Sequence, residues 1–131
     1  MLSQIFWSTL LVICVGWQDQ LPTDILTPTQ AINKIGSSTV RVQFVVKHAK
    51  DRLAKRGVVY LDSEEDFENA ENLGVALSVA ATEELKAKGV EDFEAHFLGK
   101  KVEVCGCVMR FEDRPYLPVL RADQIRVVNE E

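Results

Sequence analysis

Valine and phenylalanine occupy every second position from Val40 to Val46, with Arg41 and Gln43 between them and Lys47 following. A period of two predicts a strand over residues 39–48 with one face turned to a core. Val45 interrupts the polar set, so the other face is expected to be partly covered. The same period returns at Val102, Val104, Gly106 and Val108 and predicts a long strand over residues 101–111. Two shorter runs lie between. Residues 58–62 set Val59 and Leu61 against Val58 and Tyr60, and residues 73–79 set Leu73, Val75, Leu77 and Val79 against Gly74, Ala76 and Ser78. The small outer residues of the second run leave room for something to lie across it. After a turn at Glu112-Asp113-Arg114, closed by Pro115, a fifth strand is expected over residues 116–128, bent near Pro118 or Ala122.

Helix signals fill the gaps. Thr27 can cap, Pro28 suits the first helical position, Gln30 can close a capping box, and Gly36 suits a left-handed stop. A short N-terminal helix with Ala31, Ile32 and Ile35 on its apolar side is the result. Thr82 is expected to cap a helix running to Gly89, and Asp92 a further turn carrying Phe93, His96 and Phe97 that stops at Gly99. Residues 49–56 read as a charged connection and residues 64–72 as an acidic loop. The pattern predicts an all-β domain with capping helices, in the order β-β-β-α-β-β after the N-terminal helix. Both long strands are launched from a helix that ends in glycine, Gly36 or Gly99.

Composition changes this picture at the N-terminus. Residues 1–17 hold an apolar run of about 11 residues, too short for the roughly 20 that span a bilayer. They read as a signal peptide or an N-terminal hydrophobic anchor, which implies an exported, periplasmic or extracellular protein. Both tryptophans, Trp7 and Trp17, fall in this segment. Residues 18–28 read as a linker and residues 29–131 as a single domain. The net charge of −5 belongs to the residues after 18, because the first 18 residues carry no charged side chain. An acidic body is a poor non-specific partner for nucleic acid, so any such binding needs a local basic patch.

Several stretches carry a family resemblance: Gly99-Lys100-Lys101-Val102-Glu103-Val104-Cys105-Gly106 opening the fourth strand, Arg114-Pro115 beginning the fifth, and Asp123-Gln124-Ile125 near the end. Tyr60-Leu61-Asp62-Ser63, with its acidic, Asn-containing continuation, belongs with them. From about residue 31 to residue 128 the chain resembles the small exported bacterial OB-fold domains. The resemblance implies a five-stranded barrel of the nucleic-acid-binding type. OB barrels bind oligonucleotides or oligosaccharides across strands 2 and 3, between the loop joining strands 1 and 2 and the loop joining strands 4 and 5.

The residues can be set against that expectation. The first loop and its approach carry Lys47, His48, Lys50, Arg52, Lys55 and Arg56, opposed only by Asp51. The second carries Arg110 and Arg114 against Glu112 and Asp113. Tyr60 is the aromatic residue expected on the outer face of strands 2 and 3, with Phe111 and Tyr116 near the second loop. Phe44, Phe93 and Phe97 have core spacing. The expected ligand-binding set is Lys47, Lys50, Arg52, Lys55, Arg56, Tyr60, Arg110, Arg114 and Tyr116. A solvated hairpin tip that keeps sheet edges from pairing would carry the same charges.

No cofactor or metal is expected. Cys105 and Cys107 have one intervening residue where structural zinc pairs have two to four, and an extended strand holds their α carbons near the limit for a disulfide. The acidic loop beginning at Asp62 has Phe67 where a calcium loop needs glycine and Leu73 where it needs glutamate. No serine–histidine–acid set or glycine-rich phosphate loop is present. The leading reading is a non-catalytic binding module for single-stranded nucleic acid or another polyanion. A protein- or saccharide-binding module of the cell envelope is the alternative. A metal-dependent nuclease built on Asp62, Asp66 and Arg41 or Arg56 is the third.

Overall fold

A computed structural model of the chain describes residues 22–36 and 39–128. The signal or anchor expected at residues 1–17 lies outside the described residues, as does the linker up to residue 21. Nine strands are present among the described residues: β1 (Ile25–Leu26), β2 (Val40–Val45), β3 (His48–Arg52), β4 (Val58–Asp62), β5 (Gly74–Ser78), β6 (Lys101–Gly106), β7 (Met109–Phe111), β8 (Arg114–Val119) and β9 (Ile125–Val127). The alternation did locate the strands, but the expected single closed five-stranded barrel is corrected. The ladders form two sheets, one of order β1-β2-β6-β9 and one of order β3-β4-β5-β8-β7.

The division has a local cause, because each long strand leaves one sheet for the other part-way along. Val46 N–H donates to Lys100 O at 3.0 Å on the β6 side, and Lys47 N–H donates to Asp62 O at 3.0 Å on the β4 side. The inward parity shifts there: Val40, Val42, Phe44 and Val46 are buried, and then Ala49, paired with Leu61, takes the inward place. Gly99 closes this corner by donating to Val46 O at 2.8 Å, with φ +81°, a conformation that side-chain-bearing residues rarely adopt. The other long strand breaks at Cys107 and Val108 between β6 and β7. The fifth breaks at a 3₁₀ turn, Ala122–Gln124, between β8 and β9, so the bend falls at Ala122 and Pro118 stays inside β8.

Four short α-helices complete the described residues: α1 (Pro28–Ile32), α2 (Leu53–Arg56), α3 (Val79–Ala87) and α4 (Phe93–Phe97). In α1, the Thr27 hydroxyl accepts from Gln30 N at 3.2 Å while the Gln30 side chain accepts from Thr27 N at 3.0 Å. Ile25–Leu26, within the stretch read as linker, pairs in parallel with Arg41 and Val42. The cap of α3 is Ser78, whose hydroxyl accepts from Ala81 N at 3.1 Å, and not Thr82. Thr82 is buried one turn later and donates to Val79 O. Ser78 therefore ends β5 and starts the helix at once, which leaves Val79 exposed instead of inward. Val45 is exposed as well, while Arg41 and Gln43 on the same face are half-buried around Glu103. The turn before β8 consists of Glu112 and Asp113 alone, with Arg114 and Pro115 already in the strand.

Val42, Val59, Leu61, Val75, Leu77 and Leu117 are fully buried between the sheets, each contributing about 1.5–3 kcal/mol over an exposed position. Phe93 and Phe97 of α4 close one end, at core positions as their spacing predicted. The architecture is a mostly-β, two-sheet domain with a few short helices. The outer face of the five-stranded sheet is left uncovered by any of these helices' buried sides, and it carries most of the expected ligand-binding residues.

Candidate functional site

Strand register fixes which side chains share that face. Lys50 opposes Tyr60, Tyr60 opposes Ala76, and Ala76 opposes Pro118, forming one row across β3, β4, β5 and β8. The next row is His48, Asp62, Gly74, Tyr116 and Met109. On the other side lie Arg52, Val58 and Ser78. Tyr60 and Tyr116 thus stand on one face, two strand spacings or about 10 Å apart across the sheet. Between them are only Gly74 and Ala76, the small residues that the sequence set aside as a place for a ligand. The Tyr116 ring meets Phe111 edge-on, with ring centres 5.9 Å apart.

The structure brings the expected cations to two ends of this face. Lys50 and Arg52 lie on edge strand β3, which corrects the reading of residues 49–56 as a loop. Lys55 and Arg56 follow on α2. Among the described residues none of these four is in an ion pair. Asp51, the acid between them, faces the other way; its backbone N–H donates to Glu94 of α4 at 2.8 Å and its carboxylate caps Leu53 N. At the opposite end sit Lys47 and Arg114, while Arg110, paired with Pro115, has the parity of the other face and is not brought to this one. Lys47 pairs with Glu64 at 3.8 Å, Arg114 pairs with Glu68 at 3.6 Å, and Arg110 donates to Asp113 O at 3.4 Å.

Two residues beyond the expected ligand-binding set matter at this end. His48 Nδ1 lies 2.9 Å from Oδ2 of buried Asp62, whose Oδ1 accepts from Asn72 Nδ2 at 3.0 Å. Phe67, at the tip of the acidic loop, stacks beside His48 with ring centres 6.5 Å apart and lies under the Arg114 guanidinium at 4.8 Å. The period of two through His48, Lys50 and Arg52 signals that His48 faces outward with Lys50. Nothing in the spacing of Phe67 places it there. The loop is tied at its root: Asn72 accepts from Glu64 N at 2.9 Å, and Ser63 Oγ accepts from Leu73 N at 2.9 Å.

The other sheet's outer face is occupied by its own chemistry. Buried Glu103 on β6 accepts from Gln43 at 2.7 Å, from Arg41 at 3.0 Å and from Arg126 at 3.3 Å. Burial alone would push this carboxyl up, yet the bonds from Arg41, Gln43 and Arg126 outweigh it and hold the value at about 2. Arg41 is thus committed to Glu103 on one sheet while Asp62 is committed to His48 and Asn72 on the other. Cys105 and Cys107 are free thiols, and burial pushes Cys105 up, away from the reactive thiolate. A surface depression lined by Glu84, Ala87, Lys88, Arg121, Ala122 and Asp123 lies at α3 and holds none of the expected site residues.

No protein-family model and no curated protein matches the chain. Among solved structures it is similar to a chain of a replication protein A heterotrimer bound to ssDNA, with a TM-score of 0.44, 14% identity and 71% of this chain covered. It is similar also to a chain of the S. pombe Stn1-Ten1 complex, with a TM-score of 0.46, 12% identity and the same 71%. The chain spans 59% and 60% of the lengths of these two, and neither likeness decides a ligand here.

Proposed function

We propose that the outer face of β3-β4-β5-β8-β7 binds single-stranded nucleic acid, or a polyanion of similar charge spacing, without turnover. In this reading residues 40–52, 58–62, 74–78, 101–111 and 114–127 stand for the five strands of an OB domain. The carrying observation is the row in which Lys50 stands beside Tyr60, next to Arg52, Lys55 and Arg56, four cations that no carboxylate pairs with among the described residues. Tyr60 and Tyr116 offer ring faces for bases, and the unpaired cations offer partners for phosphates. Export through residues 1–17 is part of the same proposal.

Fluorescence anisotropy with a labelled single-stranded oligonucleotide tests it. If all four unpaired cations take phosphates, log K falls with log salt with a slope of about −2.8, at roughly −0.7 per contact. Replacing Lys50, Arg52, Lys55 and Arg56 by glutamine should remove most of that slope, and Tyr60→Ala should cost about 1–3 kcal/mol. Binding that ignores salt, or survives all four replacements, would sink the proposal. The oligonucleotide should stay intact with Mg²⁺, Mn²⁺ or Ca²⁺ present, and an exported protein should show a new N-terminus beyond residue 17.

A further inference from the structure

The acidic loop between β4 and β5 lies where a bound strand would make its contacts. Its carboxylates Glu64 and Glu68 reach Lys47 at 3.8 Å and Arg114 at 3.6 Å, and its ring, Phe67, rests beside His48 and under Arg114. A carboxylate, an aromatic ring and a second carboxylate within five residues present the same order of groups as phosphate, base and phosphate.

We propose that Lys47, His48 and Arg114 form a subsite for one nucleotide of a single strand, and that residues 64–68 fill it in cis as a mimic. Phe67 stands for the base, and Glu64 and Glu68 stand for the flanking phosphates. The inference rests on the function proposed above and adds to it a subsite and a means of control. The loop's anchoring divides into two parts. At its root, Ser63 and Asn72 are buried and bonded to Asp62, Leu73 and Glu64. At its tip the contacts are exposed: Arg114 and Glu68 keep 48% and 66% of their side-chain surface, and Phe67 keeps 49%. One part-buried bond, Asn72 Nδ2 donating to Phe67 O at 3.4 Å, joins root and tip. Exposed ion pairs hold weakly, so the tip lifts once that long bond is given up, while the other root bonds stay in place. A tethered segment competes at an effective concentration near millimolar, so even weak contacts lower the apparent affinity for a free strand. Once the tip lifts, the subsite joins Tyr116 and the central row, extending the face by one nucleotide at its second cationic end.

The test uses the full chain carrying Glu64→Gln, Phe67→Ser and Glu68→Gln, with Asp62, Ser63 and Asn72 untouched. A single-stranded oligonucleotide of about 10 nucleotides is titrated against variant and wild type over a range of salt. The variant should bind roughly tenfold tighter, since two exposed pairs and one cation–π contact each withhold a factor of a few. Its salt slope should steepen by about 1.4, as Lys47 and Arg114 each take a phosphate. Binding by the variant that is equal to or weaker than wild type overturns the subsite while leaving the proposed function standing. Absence of binding by both proteins at low salt overturns both. Unmodified protein supplies a second readout, independent of whether the variant folds. The amides of Glu68 and Glu71, which donate to Asp66 and Asn69, should exchange faster when the oligonucleotide is bound. Unchanged or slower exchange there overturns the proposal.

Discussion

Glu103 is the side chain on which the second sheet's outer face depends. Its folded carboxyl sits at about 2 against an ordinary 4.5, so above pH 4.5 it is ionised in both folded and unfolded chains and contributes fully. As pH falls below 4.5 the unfolded chain takes up the proton first. The contribution of about 3 kcal/mol then shrinks and is gone near pH 2. Glu103→Gln keeps the shape and removes the charge, leaving Arg41 and Arg126 without their anion. Urea unfolding should show the variant less stable by about 2–3 kcal/mol at pH 7 and nearly equal to wild type at pH 2. A gap that persists at pH 2 would mean that packing and not charge holds this cluster. Gly106 matters for space instead: a Cβ there would come within 2.7 Å of Leu117 Cδ2, in the buried core. Gly106→Val should cost more than 2 kcal/mol by the same measurement, because Leu117 has nowhere to yield.

At the scale of elements, the β7–β8 hairpin holds a correctable strain. Glu112 and Asp113 both adopt positive φ, 51° and 64°, which a two-residue turn of this hand requires and which these residues disfavour. Glu112→Asn with Asp113→Gly supplies residues that accept that backbone, and should stabilise by about 1 kcal/mol, raising Tm by about 4 °C. An unchanged Tm would show that flanking pairs Phe111–Arg114 and Arg110–Pro115 already set the turn. The same hairpin shows what the sequence made legible. Alternation at Val40 to Val46 and at Val102 to Val108 was enough to find strands and inward faces, because burial of one face imposes a period of two. It was not enough to find where they change sheets. The corner at Val46 and Lys47 depends on backbone bonds to Lys100 and Asp62, more than ten residues away, and only its parity shift leaves a trace in sequence. Ser78 and Thr82 are equally good caps in isolation. Tertiary pairing of β5 with β4 through residue 78, and with β8 through residue 77, decided between them.

For the whole molecule, the charge distribution and the strand register act together. A body of net charge −5 repels a polyanion everywhere except where cations are concentrated and uncompensated. The residue types at positions 47–56 made that concentration legible, but its compensation was not. Arg114 and Arg121 each pair with a glutamate distant in sequence, Arg41 and Arg126 share Glu103, and among the described residues Lys50, Arg52, Lys55 and Arg56 pair with none. Phe67 was illegible as a site residue for the same reason, since its partners His48 and Arg114 meet only after β3 and β8 join one sheet. The face available to a ligand is then bounded by geometry: five strands span four spacings, or about 19 Å, and β3 is about 16 Å long. That area suits the lower end of the 4–16 nucleotides that one OB domain engages. Affinity for homopolymeric single strands should therefore rise steeply with length up to about six nucleotides and then flatten, gaining afterwards only the statistical factor of extra registers. The rate of association should fall with added salt more than the rate of dissociation rises, since the cations at the β3 edge act on approach. Stopped-flow binding across a length series measures both. Affinity that keeps climbing steeply past about 16 nucleotides would place the contacts on more than this one face.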